Sequence, residues 1–573
     1  MSMTIADTKP WLRFYGRVPR SLDYPEVTLY EAVAQTAARV PDAIAWDFLD
    51  TVSNYRDFLA AIDHCADALA AIGLKAGDRI LISMPTSPQG IIAFYAANKL
   101  GAVPAMIHPL STGPEIEHYL DASGARIALT LDAFYRVFAA LKPKSPLQTI
   151  ILARIPDYLS PVKKFGFWLT KGRKIPVVPA DPRVRWWGDL MAASYPATPR
   201  ARTTTDDPAA ILFSGGTTGV PKGILLSSRN FIAEGMQAAA WGTMSQTDSI
   251  LAILPIFHGF GLGVCVNAAF MAGGKSILVP MFDAKVVAKL LKSKRPNLLV
   301  GVPTLYDALT KDPSLARSDL SSLHATFSGA DTLPRPVKER FEKLVADRGG
   351  KVKLLEGYGL TEAVTAIMAT PLEEYREGSI GIPFPDMLAK ICKPGSTDEV
   401  PPGEEGEICV AGPAVMLGYL DDPEATAETL KVHTDGRTWL HTGDLGRMDA
   451  DGFFYFTVRA KRMIKSSGFN VYPAQVERVL YQHPLVADAC VVGVPDPSQV
   501  ERVKAYVVLK DLTQANAATE KTLIEHCQAN LIKWSCPREI EFKADLPKTR
   551  VGKVDYKVLV QEHIANHGTE EAS

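Results

Sequence analysis

The stretch Asp283-Ala-Lys-Val-Val-Ala-Lys-Leu-Leu-Lys-Ser-Lys-Arg-Pro-Asn-Leu-Leu-Val-Gly-Val302 carries two periodicities in succession. Asp283 suits a helix N-cap, and Val286, Val287, Leu290 and Leu291 then recur at helical spacing until Arg295-Pro296 stops the run. Leu298 to Val302 follows as a continuous apolar run, the pattern of a strand in a sheet covered on both faces. Helix followed by buried strand predicts α/β architecture.

Upstream the rhythm repeats. Asp78 to Met84 reads as a strand, Gln89 to Leu100 as a helix and Gly101 to Ile107 as the next strand. Downstream it changes: short strands such as Ala489 to Val494 and Lys504 to Leu509 alternate with charged helical segments. This predicts a smaller α+β unit after about residue 460. Residues 157–187 are less regular and mix Lys163, Lys164, Lys171, Arg173 and Lys174 with Phe165, Phe167, Trp168, Trp186 and Trp187. A basic, aromatic segment suits a membrane surface; the alternative expectation is a surface excursion whose aromatics pack onto the body.

Composition bounds the function. The chain has 573 residues, 47% of them apolar and 22% charged, which is globular composition with room for more than one domain. A formal net charge of -1 supplies no global field toward nucleic acid or an acidic membrane, so anion binding must be local. The seven cysteines are scattered without zinc or redox spacing and read as buried thiols in a reducing compartment. No signal-peptide pattern opens the chain, so a cytoplasmic protein, in peripheral contact with a membrane at most, is expected. The charge-poor stretches Ile80 to Asn98 and Gly259 to Gly274 are interrupted by prolines, polar residues or glycines, and neither is expected to span a bilayer.

The sharpest local signal is Ile211-Leu-Phe-Ser-Gly-Gly-Thr-Thr-Gly-Val-Pro-Lys-Gly223, an apolar strand running into a loop of glycines, hydroxyls and one lysine. Gly215, Gly216 and Gly219 let backbone N–H groups approach an anion. Ser214, Thr217 and Thr218 add hydroxyl donors, and Lys222 adds a positive charge for phosphate oxygens. Walker A spacing is absent, because Val220-Pro221 separates Gly219 from Lys222. Gly274-Lys275-Ser276 fails the same pattern, since Ala269 stands where it requires glycine.

This loop resembles the phosphate loop of the adenylate-forming superfamily, which comprises acyl-CoA synthetases, firefly luciferase and nonribosomal adenylation domains. The family's other signatures follow in order. Glu356-Gly-Tyr-Gly-Leu-Thr-Glu362 resembles the second nucleotide motif. The resemblance implies that Tyr358 stacks near adenine, with Glu356, Gly357 and Gly359 beside it. It also implies that Thr361 meets the α-phosphate and Glu362 holds Mg²⁺ together with Ser214. A hard carboxylate oxygen suits that ion, while Thr361-Glu362 also suits a helix N-cap and first-turn acid. Ser328-Gly-Ala-Asp331 resembles the turn that lines the adenine and acyl pocket through Gly329 and Ala330. His441-Thr-Gly-Asp444 matches the signature whose Asp444 accepts from both ribose hydroxyls.

The run from Arg459 to Pro473 resembles the family hinge and the glycine loop after it. Here the resemblance implies a ribose contact at Arg459, a pivot at Lys461 and a further nucleotide contact at Lys465. Leu546-Pro-Lys-Thr-Arg-Val-Gly-Lys553 matches the loop that carries the adenylation lysine, Lys553. Val458, Arg462 and Tyr556 depart from the common pattern. Pro255 to Leu262 resembles the segment that sets a histidine beside the substrate carboxylate, which leaves His258 as a positioning group or a structural histidine.

The resemblance implies a large multi-subdomain α/β body, residues 1–460, as the AMP-binding adenylation domain, and a small mobile α+β lid, residues 461–573. It implies an acid–thiol ligase: ATP and a carboxylic acid form acyl-AMP, and the acyl group passes to coenzyme A. The motifs look most like long-chain fatty acyl-CoA ligases, so a medium- or long-chain fatty acid is the expected substrate, with an aryl acid second. A fatty acyl-AMP ligase loading an acyl carrier protein shares every nucleotide motif, and a non-enzymatic sensor is the reading from a different class. No nucleic-acid partner is expected.

Overall fold

The computed structural model describes residues 8–142, 144–213, 221–281, 283–459, 462, 464–466, 469–471, 473–496, 500–531, 533–549 and 554–567. Asp283 caps the helix that the spacing predicts: its carboxylate accepts from the Val286 N–H at 3.0 Å, and the helix runs Ala284–Lys294. Arg295 ends it at φ 47°, in the left-handed region, and the Pro296 ring cannot continue a helix. The strand Leu298–Gly301 follows, wholly buried and parallel to both Ser249–Ala252 and Ala325–Ser328. Val302 closes no strand; it is the N-cap residue of the helix Pro303–Lys311, which begins on a proline.

The upstream unit also forms, as Arg79–Ser83, Pro88–Lys99 and Val103–Met106, with strands slightly shorter than their apolar runs. The helix Pro88–Lys99 is buried from Pro88 to Asn98, which accounts for the charge-poor stretch. Among the described residues no helix is long and apolar enough to cross a membrane.

Two large sheets organise the body. The nine-stranded sheet runs from Ile382–Pro383 at one edge through Leu354–Gly359, Ala325–Ser328 and Leu298–Gly301 to Thr51–Asn54 at the other. In the eight-stranded sheet, Pro208–Phe213 is parallel to Val103–Met106 and antiparallel to Gly223–Ser227, so the strands flanking the phosphate loop are locked to each other. A third, antiparallel sheet holds Leu388–Cys392, Glu405–Ala411, Thr438–Met448 and Phe454–Arg459. The fourth is built on the hairpin of Val486–Asp496 and Val500–Leu509. It has its own core of Val476, Leu480, Val491, Val507, Leu523 and Ile540. At about 1.5–3 kcal/mol for each large aliphatic side chain removed from water, such a core supports a separately packed unit.

The irregular segment 157–187 divides its aromatics. Trp187 is buried and Trp186 lies under the Arg154 guanidinium at 3.8 Å, whereas Phe165 and Trp168 face solvent on the helix Pro161–Thr170. The expectation that the excursion packs its rings onto the body therefore holds for Phe167, Trp186 and Trp187 but not for Phe165 and Trp168. All seven cysteines are buried and none is in a disulfide, in line with the buried thiols their scatter predicts.

Candidate active site

A cleft of about 2920 Å³ opens where the large sheets, the antiparallel sheet and the C-terminal unit meet. Every sequence-predicted residue whose side chain is described lines it, from His258 and Lys222 on one side to Asp444 and Arg459 on the other. Lys465 lies in the strand Ile464–Ser466, and its side chain is outside the described part of the structure. Ser214, Gly215, Gly216, Thr217, Thr218, Gly219, Lys461 and Lys553 lie outside the described residues.

Register brings Asp444 and Arg459 together. They are paired positions on the antiparallel strands Thr438–Met448 and Phe454–Arg459, and Arg459 Nε sits 3.0 Å from Asp444 Oδ1. The Tyr358 hydroxyl donates to Asp444 Oδ2 at 2.7 Å. Burial, and after it the Asp444 charge, pushes the Tyr358 phenol well above its ordinary value, so it remains a donor. Burial alone would lower the Arg459 pKa, but Asp444, Tyr358 and Glu362 together raise it.

Behind Asp444 lies a support that motif reading missed. Glu407 accepts from the Gly443 N–H at 2.9 Å, and its other oxygen lies 2.8 Å from His441 Nδ1. His441 Nε2 lies 2.9 Å from His433 Nε2. Burial would raise the Glu407 carboxyl, but His441 and the Gly443 N–H outweigh it and hold the group below its ordinary value. Burial, with Lys390 and His441, pushes His433 down to about 4, leaving it neutral near pH 7. The glutamate thus fixes the turn that presents Asp444. The His-Thr-Gly-Asp string alone shows no partner for its histidine.

A second chain joins Lys222 to Glu362. Tyr419 donates to Glu362 Oε1 at 2.9 Å, and Lys222 Nζ stands 5.0 Å above the Tyr419 ring while pairing with Asp422 at 3.0 Å. The carboxylate at position 362 and the loop lysine therefore share one wall, a donor set of hard oxygen and cation that suits Mg²⁺ with phosphate. Thr361 opens the short helical turn Thr361–Ala363, but Leu360 is its cap residue and no side chain caps it, so Thr361 is not an N-cap. Val364 follows at φ 61°, an uncommon conformation for a β-branched residue.

Glycines make the floor. A Cβ on Gly359 would lie 1.5 Å from the Thr365 carbonyl oxygen, so no side chain fits there. One on Gly329 would meet the Phe260 ring at 3.2 Å and the Gly357 carbonyl at 3.3 Å. Ala330 sits at φ 72°, in the left-handed region. Glu356 is pushed up to about 7 by burial, with Lys338 and Arg478 pulling it back. His258 accepts from the Phe260 N–H on Nδ1 at 3.1 Å, so a neutral ring carries its proton on Nε2. It holds the start of the π-helix Phe260–Asn267 and also faces the cleft.

The C-terminal unit supplies the remaining wall through Glu477, Arg478, Lys548 and Tyr556. Two of the departures from the common pattern answer each other, since the Arg462 guanidinium stands 5.1 Å over the Tyr556 ring. Arg462 also pairs with Glu477 at 2.6 Å.

Two large α/β sheets with a small unit on their shared cleft define a two-part α/β enzyme. The AMP-binding enzyme model matches residues 33–420, and the AMP-binding enzyme C-terminal domain model matches 475–553. The chain belongs to the AMP-binding enzyme family. It is 36% identical to a long-chain-fatty-acid–CoA ligase of Bacillus subtilis over 98% of this chain and 99% of that protein. It is 32% identical to a feruloyl-CoA synthase of Amycolatopsis sp over 90% of this chain and 94% of that protein. Among solved structures, ATP-bound MatB from Rhodopseudomonas palustris superposes with a TM-score of 0.81 at 26% identity, covering 95% of this chain and all of that one. The anthranilate CoA ligase AuaEII with anthranoyl-AMP gives 0.82 at 24% identity over 96% of this chain and 99% of that one, a likeness of fold.

Proposed function

We propose that the protein activates a long-chain fatty acid with ATP and transfers the acyl group to coenzyme A. The observation that carries this is the convergence of Lys222, Glu362, Tyr358, Asp444 and Arg459 on one cleft. Near-complete coverage by ligases named for long-chain fatty acids supports the substrate.

A carboxylate is a poor acyl donor, because its leaving group would be oxide. Its oxygen attacks the α-phosphorus of ATP, the bond to pyrophosphate breaks, and a mixed anhydride with AMP remains. No general base is required, since the acid is already ionised. The transition state gathers negative charge at phosphorus, and preplaced cations stabilise it. Lys222, with Ser214, Thr217 and Thr218, grips the departing pyrophosphate. Lys553 bridges the substrate carboxylate and the α-phosphate. Asp444 and Arg459 hold the ribose, and Thr361 meets the α-phosphate. Glu362, with Ser214, would hold Mg²⁺, which neutralises triphosphate charge when bound.

In the second step the thiol sulfur of coenzyme A attacks the acyl carbonyl, and AMP leaves. Lys553 must then withdraw, and residues 461–573 act as the lid that removes it, turning at Lys461. His258 positions the acid. An acyl carrier protein is the second acceptor, favoured if free coenzyme A yields no thioester. A water-insoluble acid also partitions into bilayers, so a peripheral membrane contact belongs to this reading. The test is ATP-dependent pyrophosphate release across a panel of fatty and aryl acids, with and without coenzyme A. Release with long-chain acids and thioester formation with coenzyme A are expected; no adenylate from any acid would overturn the reading.

A further inference from the structure

The helix Pro161–Thr170 presents an apolar face left exposed among the described residues. Val162 is 83% exposed, Phe165 62%, Trp168 51% and Leu169 45%. Val162, Phe165 and Leu169 fall at i, i+3 and i+7, so they form one stripe, with Trp168 on its flank. Exposed aromatic and aliphatic groups side by side are costly in water and mark a contact surface. The opposite side of the helix is anchored. Phe167 packs against the main core, Lys163 Nζ donates to the Leu49 carbonyl at 2.6 Å, and Lys163 also pairs with Asp50. The stripe is therefore held outward by its own fastening.

The segment that carries the stripe bears charge of one sign. Between Asp157 and Asp181 the sequence has five cations, Lys163, Lys164, Lys171, Arg173 and Lys174, and no carboxylate. Lys163 is used in the anchor. Lys164, Lys171 and Lys174 are exposed and make no ion pair among the described residues. The Arg173 guanidinium lies 4.4 Å over the Trp168 ring, and the Phe165 and Trp168 rings stack at 6.0 Å. Aromatic and aliphatic side chains on one face, with lysine and arginine at its margin, fit the boundary between headgroups and acyl chains of an anionic bilayer. The whole chain has a net charge of -1, so this cationic rim is local.

We infer that the helix Pro161–Thr170 and the basic turn Gly172–Lys174 dock the protein on an anionic lipid surface. The apolar stripe enters the interface while Lys164, Lys171, Arg173 and Lys174 meet the headgroups. None of these residues lines the catalytic cleft, so the contact is separable from chemistry and independent of which acid is activated.

The test is co-sedimentation of the full-length protein with vesicles of phosphatidylcholine alone, or with about one-third phosphatidylglycerol, where anionic lipid attracts basic segments. Wild type should pellet with the anionic vesicles and release as salt rises, since screening shortens from about 10 Å at 0.1 M to about 3 Å at 1 M. Phe165→Ser combined with Trp168→Ser and Leu169→Ser should weaken partitioning about tenfold or more. Lys164→Glu with Lys171→Glu and Lys174→Glu should abolish the preference for anionic lipid. Both variants should keep the wild-type rate on a water-soluble acid, which shows that they fold. A blue shift of tryptophan emission on vesicle addition should disappear in Trp168→Phe. The inference is overturned if wild type ignores vesicles or binds neutral and anionic ones alike, or if the variants bind as wild type does. It is also overturned if the patch proves to join two copies of the chain, seen as a fall in mass in the serine variant, or if duplex DNA is bound in preference to lipid.

Discussion

The Tyr358 hydroxyl donates to the Asp444 carboxylate at 2.7 Å, joining residues 86 positions apart in the chain. Asp444 is buried, and Arg459 neutralises its charge from the neighbouring strand. A carboxylate fixed from two sides is held in place before any ligand arrives, which suits the ribose contact proposed for Asp444.

Asp444→Asn should therefore raise the KM for ATP about ten- to hundredfold, the equivalent of about 1.5–3 kcal/mol for hydrogen bonds to a charged group. The KM for the acid should move little. Steady-state kinetics with each substrate varied in turn checks this, and an unchanged KM for ATP would remove Asp444 from the ribose.

Lys553→Ala should slow adenylate formation about 10²–10³-fold or more, as removal of a preplaced transition-state donor does. Transfer from supplied acyl-AMP to coenzyme A should survive. Undiminished ATP–pyrophosphate exchange in this variant would defeat the assignment.

Lys461→Pro should spare acyl-AMP formation and slow thioester formation, because proline would fix φ at the proposed pivot. Single-turnover assays of the two half-reactions separate them. Equal losses in both would argue against a hinge.

Burial pushes Glu234, which is wholly buried, up to about 8 from its ordinary value of 4.5. A carboxyl whose folded pKa is raised binds its proton more tightly when folded. Stability is therefore greatest below the unfolded value, falls as pH rises through the window from 4.5 to about 8, and levels off above it. At about 1.4 kcal/mol for each pH unit, the loss is a few kcal/mol. Glu234→Gln lacks the ionisation, so urea melts at pH 5 and pH 8.5 should show its stability gaining on wild type at the higher pH. Parallel pH profiles would show that the folded and unfolded states bind the Glu234 proton alike, so that burial does not raise its pKa.

Local patterns in the sequence decided the elements. Asp283 as cap, the helical repeat after it and the apolar run Leu298–Gly301 each act over a few residues, so spacing alone reveals them. The motif strings likewise name Lys222, Tyr358, Glu362, Asp444 and Arg459, because a phosphate or ribose contact needs particular side chains at fixed short spacings. What the strings could not show is who holds them. Glu407 behind Asp444, Tyr419 between Lys222 and Glu362, and Tyr556 under Arg462 come from strands and helices remote in sequence. Nor could periodicity decide whether Phe165 and Trp168 face the body or solvent, since a helical stripe defines a face without saying what lies against it. Short-range sterics and hydrogen bonding fix the elements. Which side chains meet across the cleft depends on how the sheets pack, and that free energy is shared among residues far apart along the chain.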